Sequence, residues 1–239
     1  MNLLRAISSV FFPFRCAGCG EVLSDEEEFV CAQCLGVLPV TEEAWHRGNK
    51  LEMLFRSFAP YMQEESKTAN KFIRGAAYTY YRNSVPNIIH TMKFTGDPKL
   101  ARWMGKRAAQ ALSNNNSSFF EGIDLLMPVA LHPRRLQERG FNQSEWICMG
   151  ISEVTGIPID TNHLVRTVYT DQQSRKTLEE RATLGSVFSV INPNELIGKH
   201  LLIVDDVVTT GTTIKRVLEV LHPIRRCTYS VFGMTFAVR

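Results

Sequence analysis

Asp205 and Asp206 follow an apolar run, Leu201-Leu202-Ile203-Val204, and precede a loop of small hydroxyl residues, Thr209, Thr210, Gly211, Thr212 and Thr213. Acids at the carboxyl end of a strand, followed by a loop and a helix, mark the place where an open α/β sheet binds its ligand. Loop N–H groups and the positive end of the following helix suit a phosphate, and Gly211 permits close approach. The stretch is therefore expected to hold a phosphorylated, hydroxyl-bearing small molecule. A second constellation, Cys16, Cys19, Cys31 and Cys34, has the spacing C-x2-C-x11-C-x2-C. Two tight turns of this kind can set four thiolates around one ion, and zinc, of fixed valence, is the natural occupant in a structural role. An iron–sulfur cluster also takes four thiolates, although paired short spacings are less typical of it. Disulfides are disfavoured because no secretion signal is read. The third set is Arg134, Arg135 and Arg139, whose guanidinium groups offer paired donors to pyrophosphate oxygens, or equally make a solvated basic loop.

These groups need elements to hold them. Four consecutive apolar residues at 201–204 read as a strand buried on both faces, ending where the two acids begin. Ile214, Val217, Leu218 and Leu221 recur at helical spacing until Pro223. Upstream, 75–81 is aromatic and β-prone. A helix is expected from Pro86 to Phe94 with Ile88, Ile89 and Met92 inward, and another over 100–112 burying Leu100, Trp103, Met104, Ala108 and Ala111. Lys93 ends the first of these, where a cation favours the helix dipole. A short strand at 124–130 leads into a polar loop at 131–144, then a helix from Gln143 to Val154 closed by Gly156. One or two short strands fall in 157–166 and another at 187–191; 192–194 is a turn and 228–238 a final β-rich stretch. The polar segment 169–185, with a capping box at 177–180, reads as a lid or a surface loop. Strands alternating with helices predict an α/β fold with a parallel or mixed sheet. The chain divides into a Cys-bearing module at 1–45, a connector at 46–70 and the main domain at 71–239.

Composition sets bounds. A chain of 239 residues, 44% hydrophobic and 21% charged, is long enough for a buried core plus a small module and is not disordered in character. The net charge of +3 and a pI near 8.5 permit nucleic-acid contact without arguing for it. Residues 1–14 carry an apolar stretch interrupted by Ser8, Ser9 and Pro13, which reads as a short docking helix and not a signal peptide. No stretch approaches the roughly 18 apolar residues of a membrane span, so a cytoplasmic location is expected. No Walker A loop, G-x-S-x-G elbow or H-E-x-x-H pair is present. Cys148 and Cys227 stand alone in apolar surroundings and read as core residues.

The run from Leu201 through the two acids to Thr209-Thr210-Gly211-Thr212-Thr213 resembles the phosphoribosyl-pyrophosphate (PRPP) signature of type I phosphoribosyltransferases. With the Cys pairs, Lys93-Phe94, Gly96-Asp97, Pro128-Val129, His132-Pro133-Arg134-Arg135 and Gly140-Phe141-Asn142-Gln143, nearly the whole chain resembles the ComF (GntX-like) family of bacterial proteins. That resemblance implies a type I phosphoribosyltransferase-like parallel sheet flanked by helices, joined to a zinc knuckle held by Cys16, Cys19, Cys31 and Cys34. It implies that Asp205 and Asp206 receive the ribose hydroxyls near the anomeric centre, and that residues Thr209, Thr210, Gly211, Thr212 and Thr213 bind the 5-phosphate. Mg2+ would accompany the pyrophosphate beside Val129, Arg134, Arg135, Arg139, Asn142, Gln143 and Lys93, with Arg166 and Arg181 closing over the site. Gln173 and Arg181 fit the family pattern, whereas Leu184-Gly185 replaces its Asn-Val. Two functions follow: a PRPP-dependent transferase linked to DNA uptake with an unnamed acceptor, or a non-catalytic handler of single-stranded DNA. The implied partners are PRPP, single-stranded DNA and proteins of the DNA-uptake machinery.

Overall fold

A computed structural model describes residues 13–41, 46, 48–56, 71–94, 97–115, 118–167 and 186–237. Among them, four strands form one sheet: β1 (Lys71–Tyr80), β2 (Leu125–Pro128), β5 (His200–Val208) and β6 (Thr228–Phe236). Their order is β1-β6-β5-β2 and every pair is parallel. The central strands are β-rich and apolar because both faces are covered. Alternate residues of β5 show the division. Leu202 and Val204 face one cluster with Ile88, Met92, Met104, Ile147 and Ile151; Leu201 and Ile203 face another with Ile214, Val217, Leu218 and Leu221. Each such side chain contributes about 1.5–3 kcal/mol through burial.

The first face is covered by α3 (Val85–Phe94), α4 (Lys99–Asn115) and α6 (Gln143–Thr155), the second by α7 (Thr212–Leu221) and α2 (Lys50–Arg56). A two-stranded antiparallel ribbon, β3 (Leu164–Arg166) with β4 (Phe188–Val190), packs Leu164 and Phe188 into the second cluster. The Cys-bearing segment carries α1 (Ala32–Gly36), and its Cys16, Val30 and Cys34 enter the first cluster. Among the described residues no helix is long and apolar enough to cross a membrane.

Several local expectations change. The polar stretch 131–144 is not all loop: α5 (Pro133–Arg139) forms there, with His132 accepting the Arg134 N–H, Pro133 in the first turn and Gly140 closing it at φ +81°. It buries none of its residues, so it lacks the apolar period by which helices are read. β5 does not stop before the acids but carries Asp205 and Asp206 within the strand, Asp205 opposite Gly233 on β6. The turn read at 192–194 is a 3₁₀ turn at Pro193–Leu196, preceded by Asn192 as its cap. Trp103 is only half-buried, edge-on to Phe29 with ring centroids 5.8 Å apart. The docking helix read at 1–14, the polar run at 63–68 and the lid or loop at 169–185 lie almost wholly outside the described residues.

Candidate functional site at the carboxyl ends of the strands

The acid pair sits where parallel β2 and β5 end beside three helix termini. Asp205 is 8% exposed. Its Oδ1 accepts the N–H of Asp206 at 2.9 Å and the Ser144 hydroxyl at 3.4 Å. Burial first, and then the adjacent Asp206 charge, push its pKa up to about 7 against the opposing pull of Lys93 and Ser144. Asp206 reaches outward to an ion pair, its Oδ2 lying 2.8 Å from Lys93 Nζ at the end of α3. The lysine, read from spacing as a helix-end cation and placed in the site by the family resemblance, pairs with the second acid directly.

The segment from β2 to α6 is pinned to the same end. Val129 N–H donates to the Val204 carbonyl at 2.9 Å, and Asn142 Nδ2 donates to the Val129 carbonyl at 3.1 Å. Asn142 also caps α6 through Ser144 N–H, which aligns Ser144 with Asp205. Gln143 is 2% exposed; its Oε1 accepts from Arg139 at 3.2 Å. Burial and neighbouring Arg135 lower the Arg139 pKa, while Asp206 opposes them. Arg166, on β3, is likewise lowered by burial, Arg135 and Arg216, with Asp205 opposing. Arg135 therefore lies in the field of two other guanidinium groups, an arrangement that an anion relieves. Arg134 pairs along α5 with Glu138 at 3.3 Å.

Beyond β5, Gly211 takes φ +71° and starts α7 without a side-chain cap. The first N–H groups of a helix have no partner within it. Here they open on a loop whose Thr209, Thr210, Thr212 and Thr213 are exposed, Thr210 and Thr212 hydroxyls meeting at 2.8 Å. Asp205, Asp206, Lys93, Arg135, Arg139, Gln143 and Arg166 gather at one end of the fold, with Val129 and Asn142 joined behind them; Arg181 lies outside the described residues. Sequence reading missed Ser144, Glu145 and Arg216. Glu145 lines a cleft with Pro128, Leu131, Asn142, Leu164 and Arg166. Its only sequence signal was its position directly after Gln143-Ser144.

At the other end of α3 the four cysteine sulfurs lie within 4.8 Å of one another. Zn–S bonds of about 2.3 Å at tetrahedral angles set sulfurs about 3.8 Å apart; Cys19 and Cys31 Sγ are 3.7 Å apart. Burial disfavours the Cys16 thiolate, but N–H groups of Cys31, Cys19 and Gly18 together outweigh it and lower its pKa to about 6. Burial and the neighbouring sulfurs raise that of Cys34. Four such ligands could hold a metal ion such as zinc.

A family model described as the phosphoribosyl transferase domain matches residues 163–229. With the parallel sheet and the acids and phosphate-type loop at its carboxyl end, this defines a type I phosphoribosyltransferase-like fold. The likeness to the ComF family holds along the chain: it is 26% identical over 235 residues to Competence protein F of Haemophilus influenzae, covering 95% of this chain and 99% of that protein. DNA utilization protein YhgH of Salmonella typhimurium is 31% identical over 136 residues, which span 56% of this chain and 59% of the relative. Among solved structures, glutamine PRPP amidotransferase from B. subtilis matches with a TM-score of 0.40 and 18% identity, covering 70% of this chain and 32% of that one.

Proposed function

We propose that the chain binds PRPP and transfers its phosphoribosyl group, in the cytoplasm, as part of DNA uptake. The observation that carries this is the juxtaposition of Asp205 and Asp206 with the open N-terminus of α7 on one side and the arginines of α5 and β3 on the other. Asp205 and Asp206 receive the ribose hydroxyls and stabilise positive charge growing at the anomeric carbon. Thr209 to Thr213 hold the 5-phosphate; Lys93, Arg135, Arg139, Gln143 and Arg166 face the pyrophosphate end, and Arg134 and Arg181 belong to the same set. Hard oxygen ligands suit Mg2+, which binds mainly through substrate phosphates; the carbonyls of the loop after Pro128 are the protein groups that would join them. Mg2+ supplies charge neutralisation at the departing pyrophosphate. Zinc on the four cysteines closes the 1–45 module, the connector being 46–70 and the transferase domain 71–239. The setting in DNA uptake is supported by the names of the relatives, Competence protein F and DNA utilization protein YhgH.

PRPP with Mg2+ should raise thermal stability, by about 2.7 kcal/mol at a hundredfold excess over Kd. Joint replacement Asp205→Asn and Asp206→Asn should abolish the gain. An unchanged melting temperature of the wild-type chain at millimolar PRPP would overturn the reading.

A further inference from the structure

α3 reaches both the acid pair and the cysteine cluster. Its 10 residues span about 15 Å. In its last turn Lys93 pairs with Asp206 at 2.8 Å. In its first turns Asn87 Nδ2 donates at 2.8 Å to the carbonyl of Gly18, which lies between Cys16 and Cys19. Val85, Ile88 and Met92 share one buried cluster with Cys16 and Cys34. Ser84 immediately precedes the helix, where a serine hydroxyl ordinarily caps the first turn. Its Oγ does not: it is buried and, among the described residues, has no hydrogen-bond partner. A buried hydroxyl left unpaired is costly.

The neighbour of Ser84 is Cys34. The point where a Cβ on Gly18 would stand is 3.0 Å from Cys34 Sγ and 3.0 Å from Ser84 Cβ. Glycine at 18 keeps that space open, and a hydroxyl can rotate toward the sulfur. Cys34 also lacks what the other buried ligand has. Cys16 Sγ accepts the N–H groups of Gly18 at 3.3 Å and of Cys31 at 3.2 Å, and Cys31 Sγ accepts that of Cys34 at 3.5 Å. Among the described residues no backbone N–H donates to Cys34 Sγ.

We propose that Ser84 donates its hydroxyl hydrogen to the Cys34 thiolate when the four cysteines hold a metal ion, and that α3 thereby couples this ion to the phosphoribosyl site, each ligand tightening the other. The coupling rests on the phosphoribosyl-transfer reading above; the role of Ser84 does not. Metal ligands are oriented by hydrogen bonds from residues outside the ligand set. A bound ion fixes the Cys34 sulfur and the turn carrying Gly18, and through Ser84 and Asn87 the start of α3. PRPP facing Lys93 fixes its end. A helix already ordered by one ligand costs the second less to order, and the effect is reciprocal.

The test uses the full chain loaded with zinc or with cobalt(II), and PRPP with Mg2+ as the second probe. The zinc Kd, measured by competition with a zinc-selective chromogenic chelator, should fall roughly tenfold when PRPP is present. The chain carrying Asp205→Asn and Asp206→Asn should show no such fall. Ser84→Ala should weaken zinc binding by about tenfold and shrink the effect of PRPP. It should also move the thiolate-to-cobalt charge-transfer band to longer wavelength, because a sulfur that loses a hydrogen bond gives up its electrons more easily. Ser84→Thr, which keeps the hydroxyl, should restore all three. Wild-type zinc affinity and an unmoved band in Ser84→Ala would overturn the assignment of Ser84. A zinc Kd indifferent to PRPP, in a chain that PRPP does stabilise against heat, would overturn the coupling. Absence of PRPP stabilisation in the wild type would instead sink the phosphoribosyl reading and the coupling with it, while the cobalt band still decides for or against Ser84.

Discussion

Asp205 shows how one residue sets function against stability. Its folded pKa, about 7, lies above the ordinary value of 3.8. The folded state therefore holds the proton more tightly than the unfolded chain between those values, and stability falls as pH rises through them. The contribution is fully present below about pH 4 and gone above about pH 7, amounting to the order of 2–4 kcal/mol at about 1.4 kcal/mol per pH unit. Asp205→Asn should remove that slope. Urea denaturation should give similar stabilities for variant and wild type at pH 4, and a more stable variant at pH 8. Equal stabilities at pH 8 would mean that the carboxylate is not desolvated as its burial implies. At this scale the acids, the threonine loop and the cysteines were legible because they are runs of unusual residues at short spacing. The pairings that hold those residues were not. Lys93 lies 112 residues before Asp205 in sequence, and only the docking of α3 on the sheet brings its ammonium to Asp206.

Elements were legible in proportion to the apolar surface they bury. β5, α3, α4, α6 and α7 carry strong periods and appear within a few residues of expectation. α5 was hidden because it is mostly charged and held by its caps, and the end of β5 because its acids look like loop residues. What no period reveals is how closely two helices meet. α4 and α6 cross through glycines: a Cβ on Gly150 would stand 2.0 Å from the Arg102 carbonyl oxygen, and one on Gly105 2.3 Å from that of Ile147. Both obstacles are backbone, so neither can turn aside. Gly150→Ala should cost about 1–3 kcal/mol despite the better helix propensity of alanine. Gly36→Ala at the end of α1, with nothing within 4 Å, should be neutral or slightly stabilising. If both substitutions behave alike in denaturant titrations, the helices do not pack this closely. Because α6 also presents Ser144 to Asp205, Gly150→Ala should weaken ligand binding as well as the fold.

Over the whole molecule, the cysteine module shares its core with the sheet. Cys16, Val30 and Cys34 belong to one cluster with Val85, Ile88 and Phe232. Gly18 is held by Asn87, whose Nδ2 donates to its carbonyl at 2.8 Å, and a Cβ there would lie 3.0 Å from Ser84 Cβ. Past the module, Thr41 N–H donates to the Tyr78 carbonyl and Tyr80 N–H to that of Pro39, so the chain covers part of the open edge of β1. Asn49 and Glu52 cover another part by hydrogen bonding the carbonyl and the N–H of Gly75. An uncovered edge invites pairing with other chains. A metal held by the four thiolates would consequently stabilise more than a knuckle. Stripping it with a chelator should lower the melting temperature of the whole chain in a single transition. A loss of about 4 kcal/mol corresponds to roughly 8–16 °C in a chain of this size. Cys34→Ser, which removes a buried ligand, should reproduce the shift without chelator and make the protein more prone to aggregate through β1. Calorimetry with metal analysis checks this. Two separate transitions would mean that the module folds independently of the sheet, and an unchanged melting temperature in metal-free protein would mean that the thiolates hold no structural ion.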